Sequence, residues 1–133
     1  MATVLQQDKS SLLRNTLKGN ALFSVVSGAA FLLGAGALAS LMGVDQPILL
    51  AVLGVGVIGF AFAVFYVANQ TPLDSNKGRI ILVMDILWVV GSVLLLIADP
   101  LSFTNEGKWA VLIIADIVGV FAILEYLGLR RLR

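Results

Sequence analysis

Three carboxylic acids lie within long apolar stretches of the sequence, at Asp85, Asp116 and Glu125. An ionised carboxylate at the centre of a bilayer costs about 2.5–3.5 kcal/mol even on the lenient insertion scale. Acids in that setting therefore pair, lose their charge or face a polar interior, where they can exchange a proton or bind a cation or polar ligand. These acids are the candidate functional groups of the chain.

Helical spacing and depth group two of the acids with other polar residues. Asp85, Trp88 and Ser92 are spaced i, i+3 and i+7, so one helix face carries an acid, an aromatic wall and a hydroxyl. At 1.5 Å per residue, Asp85 lies about 8 Å and Glu125 about 6 Å in from the same membrane surface. The predicted polar pocket in this layer consists of Asn20, Ser24, Asp85, Trp88, Ser92 and Glu125, with Tyr66 and Asn69 closing it from the second span.

Each polar residue also has a purely structural interpretation. Glu125 could extend toward the basic residues that follow it, and Asn20 could cap the start of a helix. Asp85 could be a structural acid that accepts a hydrogen bond from Asn20 or Ser24. Asp116, the second intramembrane acid, lies about 10 Å in from the opposite surface and could bond to a neighbouring helix. The sequence leaves these alternatives open.

Residues for common catalytic chemistry are missing from the sequence. The chain has no His and no Cys, which removes thiolate chemistry, disulfides and the commonest zinc ligands and general base. It also contains no phosphate-binding glycine loop and no H-E-x-x-H motif. The sequence therefore predicts a protein that is not an enzyme, with no cofactor, no metal site and no catalytic residue.

The composition indicates a membrane protein. Hydrophobic residues make up 59% of the 133 residues, and the 13 glycines bring the apolar share to about 69%, against about 45–50% in soluble domains counted with glycine. Charged residues make up 13%, against about 25%. The net charge of +1 is too small for a surface that neutralises phosphates. We therefore expect the lipid bilayer as the principal partner and no nucleic-acid partner.

The apolar runs predict four membrane-spanning helices, since a bilayer core needs about 20 apolar residues per helix. Short loops favour antiparallel neighbours, so we expect an all-α, up-down-up-down four-helix bundle that forms one transmembrane domain. The first 19 residues are expected on the cytoplasmic side, as an interfacial helix or a frayed tail. The predicted spans are 20–42, 47–68, 80–98 and 109–129 of the single domain 1–133.

The basic residues predict the orientation. Of the nine Lys and Arg residues, only Lys108 falls on the side opposite the termini. Basic residues accumulate on the cytoplasmic side of membrane proteins, so we expect a multi-pass protein of the inner cell membrane with both termini cytoplasmic. The run that ends at Ala37-Leu38-Ala39 also resembles a signal-peptide cleavage site, although the apolar character continues to Met42.

Two patterns bear on helix packing. The segment Asn20-x-Leu22-Phe23-x-x-x-Ser27 is repeated as Asp85-x-Leu87-Trp88-x-x-x-Ser92, which predicts two repeated helical hairpins; chance similarity of apolar sequences is the alternative. Small residues allow helix backbones to approach closely in lipid. The helix-packing positions predicted on that basis are Gly28, Gly59 and Gly119.

The chain resembles small uncharacterised bacterial inner-membrane proteins with four helices. The features that carry the resemblance are Asn20-Ala21-Leu22-Phe23-Ser24, Asp85-x-x-Trp88 and Glu125-x-x-Gly128-Leu129-Arg130-Arg131. The resemblance covers most of the chain and implies the fold and the membrane location, but no function. Small multidrug transporters also have four helices, yet they rely on an acid in the first helix, and the first predicted span contains none.

Three functional hypotheses follow. The first is an accessory, assembly or structural component of a membrane complex, with another membrane protein or a second copy as partner. The alternative is a small transporter or lipophilic-ligand-binding bundle in which Asp85 responds to a proton or cation and Trp88 forms the pocket wall. A third, an enzyme acting on a lipid or quinone, would need a basic residue beside the acids, and Arg79 and Arg130 are the candidates.

Overall fold

Helices account for most of the chain in the computed structural model. The structure describes the backbone of residues 2–132 and the side chains of residues 9–132. Within that range there is no strand, and four helices are long and apolar enough to cross a membrane. The predicted all-α four-helix bundle is therefore confirmed. The helices are α1 (Ala2–Leu33), α2 (Ala35–Met42), α3 (Pro47–Ala68), α4 (Ser75–Ala98) and α5 (Asn105–Arg131).

The bundle consists of two antiparallel hairpins. Helix α1 packs against α3, α4 packs against α5, and the hairpins join through contacts between α1 and α5. Helices α3 and α4 touch only marginally. We call the end that holds the start of α1, the α3–α4 loop and the end of α5 the basic end. The far end holds α2, the α2–α3 loop and the α4–α5 loop. Duplication of the hairpin sequence stays a prediction.

Capping residues set the starts of the later helices. Asp74 accepts hydrogen bonds from the backbone of α4, and Thr104 does the same for α5. These N-caps satisfy amide groups that have no partner within the helix. As a result α4 begins at Ser75 and α5 at Asn105, earlier than the predicted 80 and 109, because the polar loops before the apolar runs are already helical. Helix α3 begins at Pro47, as predicted.

The first span differs from the prediction. Residues 20–42 do not form one separate helix, because α1 is continuous from Ala2 to Leu33 and a break at Gly34 separates it from α2. The backbone of Gly34 (φ −104°, ψ 21°) departs from helical geometry. Glycine favours such a break, since it is a poor helix former. Among the residues whose side chains are described, the membrane-length part of α1 is Lys9–Leu33.

The described part of the segment before Asn20, residues 9–19, packs within the bundle instead of forming a separate interfacial helix. The side chains of residues 1–8 of the predicted cytoplasmic segment lie outside the described residues. Leu13 and Leu17 are completely buried and belong to the core at the basic end. The α1 backbone approaches α5 so closely that a Cβ on Gly128 would lie 2.8 Å from the Cα of Leu13. Arg14 donates a hydrogen bond to the carbonyl of Ala68, the last residue of α3. The apolar stripe of this segment therefore covers the ends of α3 and α5.

Glycines set the distance between α1 and α3. A Cβ on Gly54 would lie 2.6 Å from the carbonyl oxygen of Gly28, and a Cβ on Gly28 would lie 2.8 Å from that of Gly54. The prediction for Gly59 is wrong, because its Cβ would meet nothing within 4 Å. A Cβ on Gly119 would lie 4.0 Å from the Cγ2 of Val89 in α4, which is an ordinary van der Waals contact. Helices α1 and α3 thus pack through Gly28 and Gly54. Of these two glycines, the sequence predicted only Gly28.

The far end is closed by contacts between α2 and the start of α5. The backbone amide of Thr104 donates to the carbonyl of Met42 (3.0 Å), and its hydroxyl donates to the carbonyl of Leu41 (2.6 Å). Gly43 ends α2 with φ at +80°, a left-handed conformation that glycine adopts without steric cost. These bonds hold the α2–α3 and α4–α5 loops together.

We expect Gly54→Ala to destabilise the bundle and Gly59→Ala to leave it unchanged. Both substitutions raise helix propensity equally, but only the methyl group at position 54 meets the α1 backbone. Overpacking of this kind costs about 1–3 kcal/mol. The free energy of unfolding in mixed micelles measures the difference. Equal stabilities of the two variants would contradict the close approach of α1 and α3.

Candidate functional site

Polar side chains from three helices meet in the interior of the bundle. Asn20 of α1, Asp85 of α4 and Glu125 of α5 are 1%, 3% and 0% exposed. Buried groups of this kind are rare in membrane interiors and face one another when they occur. Three of the predicted pocket residues therefore lie in one buried cluster, as their common depth suggested.

One amide group joins the two acids. The Nδ2 of Asn20 donates to Oδ2 of Asp85 at 2.8 Å and to Oε2 of Glu125 at 2.8 Å. An asparagine amide has two N–H donors, so each acid receives one. The hydroxyl of Ser24 donates to Oδ1 of Asn20 at 3.2 Å, which occupies the remaining polar atom of the amide. We call these four residues the Asn20 bridge.

The bridge decides between the structural alternatives for its members. Asn20 lies well inside α1 and does not cap a helix start. Glu125 does not extend toward the basic residues that follow it, because its side chain is completely buried. Asp85 accepts a hydrogen bond from Asn20, in agreement with its structural interpretation. That role does not exclude a ligand, since Asp85 also lines a cavity.

Both carboxyl groups of the bridge accept a hydrogen bond from the same amide nitrogen, so they lie next to each other. Ionised, they would repel each other strongly in a low-dielectric interior. A proton on one acid converts this repulsion into a donor–acceptor contact, because a protonated carboxyl group donates one hydrogen bond. The Oε1 of Glu125 has no hydrogen-bond partner within the described part of the chain. The bridge is thus a place where the protein can hold a proton on one of two neighbouring acids.

A cavity of about 380 Å³ lies beside the bridge. It is bounded by α1, α3, α4 and α5, and we call it the central cavity. Asn20, Ser24 and Asp85 form its polar end. Its aromatic walls are Phe23, Phe31, Phe60 and Trp88.

The central cavity opens sideways between α3 and α4, where the two helices scarcely touch. Val52 of α3 and Met84 of α4 line the cavity and are 63% and 46% exposed. Gly56 lines the same opening and has no side chain to close it. The entrance therefore faces the surroundings of the bundle, which is lipid for a membrane-spanning helix pair.

A second cavity of about 500 Å³ adjoins the first toward the far end. Phe31, Leu53, Trp88 and Ile114 line both cavities. Ser92 lies in this second cavity and donates to the carbonyl of Trp88 at 2.8 Å, so the structure separates it from the Asn20 bridge. The indole N–H of Trp88 is buried and has no partner among the described residues.

Two residues expected to close the polar layer from α3 do not reach it. Tyr66 is exposed, with the ammonium of Lys77 5.4 Å from its ring centre. The side chain of Asn69 bonds to the carbonyl of Phe65 in its own helix. The α3 wall is apolar instead, and its residues carry no polar signal by which sequence reasoning could have found them. They are Val52, Leu53, Gly56, Val57 and Phe60.

Asp116 lies apart from the cavity and the bridge. Its side chain is exposed on the outer surface of α5, so it does not bond to a neighbouring helix within the chain. Across residues 9–132 no group of three or more His, Cys, Asp or Glu side chains is arranged to hold a metal ion. The chemistry of the site is therefore hydrogen bonding and proton sharing by the bridge beside an apolar cavity.

Comparison with protein-family models, with curated proteins and with solved structures gives no match. The resemblance to small four-helix inner-membrane proteins consequently stays a prediction. Function has to be argued from the cavity and the bridge themselves.

We expect Asn20→Leu to destabilise the protein by about 1–3 kcal/mol, because it removes both donors from a pair of buried acids. Replacing Asp85 and Glu125 by leucine as well should restore stability, since an apolar cluster needs no donor. Ser92→Ala is the control, as its hydroxyl bonds only within its own helix. The free energy of unfolding in mixed micelles is measured for the single variant, the triple variant and the control. A single Asn20→Leu variant as stable as the control would contradict the bridge.

Proposed function

We propose that the protein is an integral membrane binding protein for a lipophilic molecule that carries an uncharged hydrogen-bonding end. The observation that carries this proposal is the central cavity, which has apolar aromatic walls and one polar end at Asn20, Ser24 and Asp85. An apolar pocket with a few convergent polar groups is the usual form of a small-molecule site. No catalytic role is proposed.

Size and access support a ligand taken from the bilayer. The cavity volume of about 380 Å³ falls within the range of about 300–1,000 Å³ seen for ligand pockets. Its entrance lies between α3 and α4, at the depth of the apolar parts of both helices. A lipophilic molecule can enter there without passing through water. The adjoining second cavity gives an elongated molecule room beyond Trp88.

The polar groups favour a neutral end on the ligand. The bridge offers carboxyl oxygens, and no Lys or Arg lines the cavity, so an anionic group would be repelled. A hydroxyl group can donate to Asp85. The buried indole N–H of Trp88 can donate to a carbonyl or ether oxygen. A single-chain lipid with hydroxyl and ester groups has this combination.

The accessory or assembly role is the second candidate function, and Asp116 favours it. An acid on the outer surface of a membrane helix is unusual for a protein that is surrounded only by lipid. The two roles are compatible, because the cavity and Asp116 occupy different faces of the bundle.

We further propose that the basic end faces the cytoplasm in the inner cell membrane. Every Lys and Arg residue except Lys108 belongs to that end, and basic residues concentrate on the cytoplasmic side. Tyr66 and Tyr126 near the basic end and Trp109 near the far end are all exposed, as is usual for aromatic residues at the two membrane surfaces.

Cavity filling tests the binding proposal. We expect Gly56→Phe to weaken binding of a photoactivatable monoacylglycerol about tenfold or more, a loss of ~1.4 kcal/mol, because Gly56 lines the entrance. Gly59→Phe is the matched control, since a Cβ at either position meets nothing within 4 Å and Gly59 lies outside the cavity lining. Photolabelling in vesicles measures occupancy. Equal labelling of both variants, or labelling outside the cavity, would refute the proposal.

Orientation can be read from labelling of introduced cysteines, because the chain contains none. A membrane-impermeant maleimide added to intact cells should label Gln46→Cys at the far end and spare Asn76→Cys at the basic end. Both positions are exposed, and both should react once the membrane is opened. The reverse pattern would overturn the proposed orientation without affecting the binding proposal.

A further inference from the structure

The outer face of α5 carries one acid within an apolar surface. Asp116 is exposed, and it lies seven positions after the exposed Trp109, or about 10 Å along the helix. Its neighbours on this face are exposed and apolar, and the inward face of the helix is formed by other residues. The exposed neighbours are Ile113, Ile117, Val120 and Ile123, and the buried positions are Ala115, Val118 and Ala122.

Asp116 has no partner in the described part of the chain. It makes no hydrogen bond and no ion pair there. Lys108 lies about 12 Å away along α5 and pairs with Asp99 at 3.6 Å instead. An aspartate side chain is too short to reach the membrane surface from this depth, unlike the long side chains of Lys and Arg. The isolated protein therefore leaves an acid facing hydrocarbon, which is costly.

We propose that the face of α5 around Asp116 binds one transmembrane helix of another membrane protein, which presents a Lys or Arg side chain at the same depth. A cation at this position neutralises Asp116 and satisfies its oxygens with charge-assisted hydrogen bonds. The partner is a helix because a continuous helix satisfies its own backbone in lipid. The isoleucine and valine ridge on either side of Asp116 supplies the packing surface.

A second copy of this chain fits this face less well than a cationic helix, because its described part offers no cation at this depth. A two-fold dimer through this face would bring Asp116 against Asp116. No described Lys or Arg residue lies between Trp109 and Leu129 of α5 or at that depth on another helix, because all belong to the basic end or to the start of α5. A self-pair would therefore bring two acids together without a cation. A lipid headgroup does not fit either, since it lies about 10 Å away at the membrane surface.

The test uses a defined probe in phospholipid vesicles. Two synthetic polyleucine transmembrane peptides are compared, one all-leucine and one with a single Arg about 10 Å from its end. Energy transfer is measured to a dye on Asn105→Cys of the otherwise cysteine-free protein. We expect the Arg peptide to associate about tenfold more tightly than the all-leucine peptide, the size of one strong interhelical polar contact.

Two variants make the result specific. Asp116→Leu should abolish the preference for the Arg peptide, whereas Asp45→Asn, which removes an exposed acid in the far-end loop, should preserve it. Equal association of both peptides, or a preference that survives Asp116→Leu, would overturn the proposal. Self-association that depends on Asp116 would also overturn it, in favour of a homodimer. Monoacylglycerol labelling of Asp116→Leu should be unchanged, so this test is independent of the cavity.

Discussion

A single amide group holds three helices together at a depth where neither water nor lipid can replace it. Asn20 of α1 gives one N–H to Asp85 of α4 and the other to Glu125 of α5. Removing any member would leave a buried polar group without a partner, which costs more than the bond itself contributes. The bridge thereby fixes the rotation of all three helices. Helix α3 contributes no side chain to it and is held by the glycine contact with α1.

The central cavity follows from the different ways in which α3 and the other three helices are held. Because the bridge draws α1, α4 and α5 together and the Gly28–Gly54 contact holds α3 against α1 alone, no strong interaction joins α3 to α4. The space left between them is bounded on one side by the polar atoms of the bridge and elsewhere mainly by apolar side chains, with Ser27 as a further polar residue. Polar end, apolar walls and lateral entrance are therefore three aspects of one packing arrangement.

The depth of each polar side chain along its helix was predictable from the sequence, whereas the direction in which the side chain points was not. The constant helical rise places Asn20, Asp85 and Glu125 in one layer, and the structure joins them. Rotation about each helix axis depends on the neighbouring helices. The sequence therefore did not show that Gly54, and not Gly59, faces α1, nor that Asp116 points outward. Composition also marked residues 20–42 as one apolar run, although the helix breaks at Gly34. The burial of Leu13 depends on packing against α5.

The scarcely joined edge between α3 and α4 has a mechanical consequence. Lipid chains press on an embedded protein from the side, and elsewhere in this bundle that compression is resisted by helices in direct contact. At this edge α3 and α4 touch only marginally, and the cavity lies between them. The gap between α3 and α4 should therefore narrow or widen with the lateral pressure of the membrane, which couples the shape of the chamber to the composition of the surrounding leaflet.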